Sequence, residues 1–175
     1  MISKEEDLRN ETIRDIAGKI ALAARTAPKA RGTDNLEIAV ADGEDIKLIA
    51  EKMKQHAART GESFFARDAE NILLCDAVVF IGSRIKPLGL NCGYCGFATC
   101  GEKLKYPEVP CFFNANDMGI AIGSAVSKAA DFRVDNRVMF SVGNVAKEMN
   151  LLPECSIILA VPLAAKGKSP FFDRK

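Results

Sequence analysis

Histidine and tryptophan are the scarcest side chains of this sequence, which has one histidine and no tryptophan among 175 residues. Zinc and non-haem iron sites commonly use two histidines, so a single His56 excludes that class of site. A Ser-His-Asp triad would depend on His56 alone. This residue lies in a charged stretch, residues 51–60, with helical character. We therefore expect it on a solvent-exposed helix face.

Net charge and long apolar runs are also lacking. Lys and Arg number 24 against 23 Asp and Glu, which gives a formal charge of +1 and no basic footprint for nucleic acid or an acidic membrane surface. The longest apolar run, residues 157–165, contains Pro162 and is shorter than the ~20 residues of a membrane span. The acidic N-terminus does not resemble a signal peptide. We expect a cytoplasmic protein of one domain, with no nucleic-acid or membrane partner.

Apolar residues at helical spacing predict five helices. Ser3 and Glu6 have the spacing of a capping box, which predicts the start of the first helix. Asn116 or Asp117 is expected to cap the fourth. Small residues of that helix, including Gly119 and Gly123, predict a helix packed centrally or at a dimer interface. The predicted helices cover residues 4–26, 42–60, 64–74, 116–131 and 139–150.

Three strands are predicted between these helices, over residues 36–40, 77–82 and 156–161. The second is apolar throughout, which suits a strand buried on both faces. The resulting order of elements predicts an α/β or α+β layered fold with few strands. Phe171 and Phe172 give the C-terminal tail two aromatic rings with which to dock on its own fold or on a partner.

Four of the six cysteines lie close together, in the pattern C-x₂-C-x₄-C-x₁₀-C. In the cytoplasm such a cluster is more typical of metal binding than of disulfides. Thiolates bind soft metals, and four of them can fill a tetrahedral site or hold the corners of a [4Fe–4S] cluster. Neighbouring glycines allow backbone N–H groups to point at sulfur. The predicted ligands are Cys92, Cys95, Cys100 and Cys111.

Two interpretations of these cysteines compete. Structural zinc sites usually pair two C-x₂-C knuckles, whereas this loop has one, so an iron–sulfur cluster is favoured over zinc. Flanking lysines at positions 86, 103 and 105 either offset the negative charge of a cluster or are solvated. The other two cysteines, Cys75 and Cys155, are expected to be small core residues at strand edges.

A basic loop, residues 25–32, follows the first helix. Lys29 and Arg31 suit the binding of a phosphate or another anion. The alternative, which the sequence favours, is an exposed helix C-terminus, where cations interact with the helix dipole.

The cysteine pattern resembles the small iron–sulfur domain of bacterial electron-transfer subunits and corrinoid-protein partners, in which all four cysteines ligate one [4Fe–4S] cluster. The whole chain resembles a prokaryotic family described as containing a ferredoxin domain. The segments that carry this second resemblance are RTAPKARG (25–32), GLNCGYCGFATC (89–100), DMGIAIGSAV (117–126), VDNRV (134–138) and GKSPFFDR (167–174).

A weaker resemblance is to nitroreductase-like flavoproteins. It rests on the first helix followed by AARTAPKARG (23–32), on the helices near 117–131 and 139–150, and on a late buried strand. It implies an α+β three-layer sandwich over residues 1–175 with the four-cysteine iron–sulfur loop inserted at 88–112, and a homodimer with FMN between subunits. The arginine-rich opening of that family is absent, and Lys29 and Gly32 replace its loop Ser and Asn. The implied flavin-binding residues are Arg25, Pro28, Lys29, Arg31, Asn136 and Arg137.

These observations lead to three hypotheses. The first is an iron–sulfur redox protein that also binds FMN, an FMN-dependent oxidoreductase acting on a partner protein or a small-molecule redox substrate. The second is a non-enzymatic module with structural zinc. The third is an iron–sulfur electron carrier or redox sensor without flavin. No nucleophile–base pair stands out in the sequence, so no catalytic residue is assigned.

Overall fold

A computed structural model describes residues 2–172 of the chain. Within these residues, six helices and a 3₁₀ turn at Ala30–Gly32 surround one sheet. The strands are β1 (Leu36–Asp42), β2 (Ala77–Ser83), β3 (Asp135–Asn136) and β4 (Ile157–Ala164). The helices are α1 (Glu5–Thr26), α2 (Gly43–Thr60), α3 (Ser63–Leu73), α4 (Cys100–Lys103), α5 (Phe112–Asp131) and α6 (Phe140–Glu148).

The sheet is antiparallel, with the strand order β1-β2-β4-β3. Pro162 lies inside β4, where a proline would normally break the ladder. In a strand, residues two apart direct their backbone nitrogens toward the same neighbouring strand. The N–H of Ala160 donates to the carbonyl of Met139, on the β3 side of β4, so the nitrogen of Pro162 also faces that side. On that side, β4 pairs with Asn136 through Leu163 and with Met139 through Ala160, and no pairing lies between them. The missing N–H of Pro162 therefore costs the sheet no hydrogen bond.

Helices cover both faces of the sheet, which makes a three-layer sandwich. Alternate residues of β2 enter two separate cores: Val78 and Phe80 pack with α2, α3 and α6, whereas Val79 and Ile81 pack with α1 and α5. This double burial explains why β2 is apolar throughout, as the sequence predicted, although the sheet is antiparallel rather than parallel.

Two helix starts differ from the sequence prediction. Helix α1 begins after Lys4, with no side-chain hydrogen bond at its N-cap, so the capping box of Ser3 and Glu6 does not form. Helix α5 begins at Phe112 and has Cys111 at its N-cap, so Asp117 lies within the helix. There Asp117 is buried and accepts a hydrogen bond from the N–H of Ala30, which is a long-range role that local capping rules do not anticipate.

His56 is buried rather than solvated, so that prediction was wrong. Only 6% of the residue is exposed, and its ring packs against that of Phe65, with centroids 4.0 Å apart and planes tilted by 35°. Its Nδ1 lies 2.9 Å from Glu148 Oε1, and its Nε2 lies 3.3 Å from Glu62 Oε2. These carboxylates satisfy a polar ring at the edge of the core.

The C-terminal tail docks on its own fold. Phe171 is 3% exposed and joins the core beneath α2, α3 and α6, and its carbonyl accepts a hydrogen bond from Arg137. Phe172 remains exposed. Residues 173–174, the end of the GKSPFFDR segment, lie outside the described residues. Within residues 2–172, no helix is long and apolar enough to cross a membrane.

Candidate metal centre

The four clustered cysteines line a single cavity. They are carried by the long connection between β2 and α5, in which Cys100 begins α4 and Cys111 caps α5. The cavity is narrow, with a volume of about 10 Å³, and apolar side chains complete its wall. The fold thus brings together Cys92, Cys95, Cys100 and Cys111, which the sequence separates by up to ten residues between neighbours.

Local backbone geometry arranges this loop around Cys100. Asn91, Gly93 and Gly96 have positive φ values of 47°, 75° and 89°, so the chain turns tightly between the first ligands. The side-chain oxygen of Asn91 accepts a hydrogen bond of 2.7 Å from the N–H of Cys100. In return the N–H of Asn91 lies 3.4 Å from Cys100 Sγ, which is the N–H···S contact that stabilises a thiolate ligand.

A small capping arrangement holds α4 in place. Thr99 Oγ1 accepts a hydrogen bond of 3.1 Å from the N–H of Glu102, and Glu102 Oε2 accepts one of 3.1 Å from the N–H of Ala98. These two bonds resemble a capping box and fix the direction in which Cys100 leaves the loop.

All six cysteines are free, but they fall into two environments. Burial raises the pKa of the Cys75 thiol to about 12 and that of Cys155 to about 11. Both sit outside the cavity and stay protonated at neutral pH. Thiols of this kind are poor metal ligands and poor nucleophiles, in agreement with their predicted role as core residues.

The cysteine geometry is not that of a closed single-ion site. Within residues 2–172, no three His, Cys, Asp or Glu side chains converge closely enough to hold one metal ion. Four thiolates on one zinc lie ~3.8 Å apart, because each Zn–S bond is about 2.3 Å.

Cations of the basic loop are engaged by the protein itself. Arg25 pairs with Asp34 at 2.6 Å, and Lys29 Nζ donates to the carbonyls of Arg25 and Ala27 at 2.6 and 2.7 Å. Lys29 therefore caps the C-terminal end of α1, as the helix-terminus interpretation expects. Pro28 lies exposed beside it.

Arg31 has a role that the sequence did not suggest. Its Nη1 donates a hydrogen bond of 2.7 Å to the carbonyl of Leu88, and Leu88 lines the cysteine cavity. Asn114, which is 1% exposed, clamps the same segment through two hydrogen bonds with the backbone of Lys86. The basic loop and α5 thus brace the start of the cysteine loop. No sequence pattern distinguished Asn114 from the other polar residues of α5.

The predicted flavin-binding residues do not converge within one chain. The basic loop leads into Leu36, which pairs with Ser83 at one end of the sheet. Asn136 pairs with Leu163 on the far edge strand, at the opposite end. Arg137, next to it, donates to the Phe171 carbonyl and lies over the Phe172 ring.

Solved structures with a similar fold are nitroreductases and related flavoproteins. A nitroreductase family protein from Clostridium novyi NT superposes with a TM-score of 0.62 and 20% identity, over 91% of this chain and 77% of that protein. A nitroreductase with bound FMN from Bacteroides fragilis gives 0.62 and 11%, over 92% and 81%. A BluB-like flavoprotein from Clostridium difficile 630 gives 0.56 and 15%, over 100% and 84%. The chain therefore has the nitroreductase-like α+β fold.

Sequence comparison identifies the family. A family profile described as "Uncharacterized protein containing a ferredoxin domain (DUF2148)" matches residues 108–174. A protein of Archaeoglobus fulgidus, described as "Uncharacterized protein", is 39% identical over 182 aligned positions, which cover 99% of this chain and 98% of the relative. This chain therefore belongs to the family of proteins described as containing a ferredoxin domain.

Proposed function

We propose that this protein is an electron-transfer protein that holds one [4Fe–4S] cluster through Cys92, Cys95, Cys100 and Cys111. The observation that carries the proposal is that these four free thiols line one cavity, whereas Cys155 is buried in the core and Cys75 is half-buried against its edge. Membership of a family described as containing a ferredoxin domain supports it. The proposed inserted unit is residues 88–112, within a single domain of 1–175.

The loop residues would divide the work of holding the cluster. Bound there, the cluster would take up and release one electron at a time. Asn91 orients Cys100 and donates its N–H toward the sulfur, which favours the thiolate. Cys111 is buried while Cys92 is exposed, so one side of the site faces solvent. Electrons would pass there to or from a partner protein or a small-molecule redox substrate.

FMN is a second candidate cofactor, favoured by the fold of the Bacteroides nitroreductase with bound FMN. The side chains of Lys29 and Arg31 are bonded to backbone carbonyls in this structure. Flavin binding would require them to exchange these carbonyls for phosphate oxygens. Asn136 lies at the other end of the sheet and would have to reach the flavin from a second subunit. These residues do not form a flavin site within one chain.

A homodimer is the assembly that the surface favours. Along α5, the exposed positions from Phe112 to Ala130 carry no charge, and an exposed charge appears only at its last residue, Asp131. A single solvated helix normally presents charged side chains on its outer face. A Cβ added at Gly119 or Gly123 would meet nothing within 4 Å, so these glycines leave room for the close approach of a second helix. We propose that two copies of α5 pack against each other through these exposed uncharged positions, with Gly119 and Gly123 at the contact.

The cluster assignment is tested by four single substitutions, one for each cavity cysteine to serine, compared with C75S and C155S as matched controls. Anaerobically purified protein is analysed for iron and acid-labile sulfide. We expect each cavity variant to lose most of its iron and sulfide, while both controls keep theirs. Equal iron in all six variants would contradict the assignment. Acid extraction and fluorescence of the same samples measure FMN separately.

A further inference from the structure

The exposed outer face of α5 carries side chains at a symmetric spacing. Uncharged exposed positions recur there at intervals of three, four, four, four and three residues. Intervals of three and four follow one face of a helix, so these positions form a single row, called here the α5 row. Its members are Phe112, Ala115, Gly119, Gly123, Ser127 and Ala130. The absence of charge is notable because 27% of the residues of the chain are charged.

Side-chain size along the α5 row is uneven. Phe112, 42% exposed, is its only large member, and the other five positions hold glycine, alanine or serine. A second copy of α5 in the same direction would bring two phenylalanine rings together and leave a gap at the other end. In the opposite direction, each ring would pack against Ala130 of the other copy, and Gly119 would meet Gly123. Close packing requires large side chains to face small ones, so the row is complementary to an antiparallel copy of itself.

The N-terminal end of the α5 row reaches the cysteine cavity. The ring of Phe112 lies 5.2 Å from that of Phe113, which lines the cavity, and 5.3 Å from that of Tyr94, measured between centroids. Tyr94 is 68% exposed and lies two residues from Cys92, the exposed member of the four cavity cysteines. Residues 87–101 around it carry no charge. One uncharged surface therefore runs from α5 onto the cysteine loop, and continuous surfaces of this kind mark interaction sites.

We propose that the two copies of α5 run antiparallel, centred at Ala121, and that the C-terminal end of each α5 covers Tyr94 and Phe112 of the other copy. This inference rests on the proposed homodimer and deepens it. In a two-fold pair, residue i of one copy contacts residue j of the other, and j contacts i. The region around Ala130 of the second copy then completes the cover of the cysteine cavity on the side of Cys92.

The antiparallel direction fixes where the two cavities lie in the dimer. Helix α5 has 20 residues and is therefore about 30 Å long at 1.5 Å per residue. An antiparallel pair places the two cavities at opposite ends, about 30 Å apart along the helix axes. A parallel pair would place them side by side. The dimer inferred here has two separate redox sites, each closed by the far end of the other copy.

Charge pairs introduced at Ala115 and Ser127 test the direction of the helices. In an antiparallel pair these two positions face each other, so A115K/S127E forms two Lys–Glu contacts per dimer. In a parallel pair each position faces itself, and the double variant brings lysine to lysine and glutamate to glutamate. The dissociation constant of the dimer is measured by sedimentation equilibrium at low salt, because salt screens exposed charges.

We expect A115K/S127E to dimerise more tightly than either single variant, on the order of tenfold for two ion pairs. The matched control is A115K/S127K, which adds similar bulk with like charges and should dimerise more weakly than either A115K or S127K. A double variant A115K/S127E that dimerises no more tightly than A115K and S127E alone would overturn the antiparallel arrangement.

The cover of the cavity is tested at Tyr94, with Tyr106 as the matched control. Tyr106 belongs to the same loop and is 49% exposed, but its ring stacks on Phe97, away from the α5 row. We expect Y94K to raise the dissociation constant of the dimer on the order of tenfold, since buried tyrosines are frequent hot spots of interfaces, and Y106K to leave it unchanged. Equal dissociation constants in Y94K and Y106K would overturn the cover.

If Y94K loses its iron, the pair Y94N and Y106N decides: weaker dimerisation in Y94N alone supports the contact, and equal dimerisation overturns it. Wild-type protein that sediments as a monomer would overturn the proposed homodimer together with this inference. A wild-type dimer that fails the charge-pair test or the Tyr94 test would overturn this inference alone. Iron and sulfide content of the same samples tests the cluster assignment independently, because no substituted position is a proposed ligand.

Discussion

Six identical thiols acquire different chemistry from their surroundings. Cys75 is packed against the end of α3, where its Sγ–H donates to the carbonyl of Asn71 at 3.3 Å. Burial, reinforced by the neighbouring carboxylate of Asp76, raises its pKa to about 12. Among the cavity cysteines, Cys92 is exposed and Cys111 is buried, so the cavity runs from the surface into the protein. Position in the fold, not residue type, distinguishes the proposed ligands that line the cavity from Cys75.

The pKa of Cys75 predicts a loss of stability at alkaline pH. The thiol ionises near pH 9.0 in the unfolded chain and near 12 in the folded one. Its contribution is therefore complete below about pH 9 and declines as pH rises toward 12, by at most about 1.4 kcal/mol per pH unit. Chemical unfolding of wild-type and C75A protein across this range should show wild type losing stability faster. If the free energies of unfolding of wild type and C75A changed in parallel with pH, the raised pKa of the Cys75 thiol would be contradicted.

At the scale of residues, sequence patterns identified some groups and missed others. The spacing of Cys92, Cys95, Cys100 and Cys111 is a local pattern, so a single segment was enough to nominate them. His56 was misplaced because its partner Glu148 lies 92 positions away. Lys103 was noted as one of three flanking lysines, but its burial depends on how the loop folds back. Partners remote in sequence leave no local pattern.

Elements in this fold depend on close approaches between helix and sheet. Gly143 of α6 packs directly on β4: a Cβ built there would lie 2.0 Å from the carbonyl oxygen of Ile158. That oxygen belongs to the backbone of a central strand and cannot move aside as a flexible side chain would. The third layer therefore reaches its position only because residue 143 has no side chain.

The substitution G143A should destabilise the protein by about 3 kcal/mol, because α6 must move away from the sheet. The matched control is G18A, in α1, where an added Cβ meets nothing within 4 Å. G18A should be neutral or stabilising by up to about 1 kcal/mol, since alanine is the better helix former. Urea unfolding of both variants measures the difference. Equal midpoints would refute the close approach of α6.

Element types were largely predictable, and element ends were not. Apolar periodicity predicted helices close to α1, α2, α3 and α6 and the three long strands, because those patterns are local. The start of α5 was placed late because polar residues at 116–117 resemble a cap, whereas Asp117 instead binds the N–H of Ala30. The two-residue strand β3 is held only by its pairing with β4 and has no pattern of its own.

At the scale of the whole molecule, the proposed dimer through the uncharged positions of α5 can be tested at Gly123. In a monomer, G123Q would be harmless, because its side chain meets no atom of its own chain near the Cβ. In a dimer packed across α5, the same side chain would separate the two helices. We therefore expect G123Q to lower the apparent mass in sedimentation while the fold is retained. G18Q, on the other long helix of that layer, is the control.

A result in which wild-type protein sediments as a monomer, or in which G123Q and G18Q dimerise equally, would contradict the proposed interface.

The layered α+β architecture itself was predictable from the resemblance to nitroreductase-like proteins. The arrangement of the flavin-binding candidates was not, since Lys29 and Arg31 meet carbonyls whose positions depend on the cysteine loop and on the end of α1.

Metal and sulfide analysis of oxygen-free wild-type protein, combined with its absorption spectrum, tests the central claim most directly. A [4Fe–4S] cluster held by the four cavity cysteines predicts brown protein with about four iron and four sulfide ions per chain. Colourless protein with about one zinc per chain and no sulfide would contradict the claim, and would assign the four cysteines to a structural zinc site.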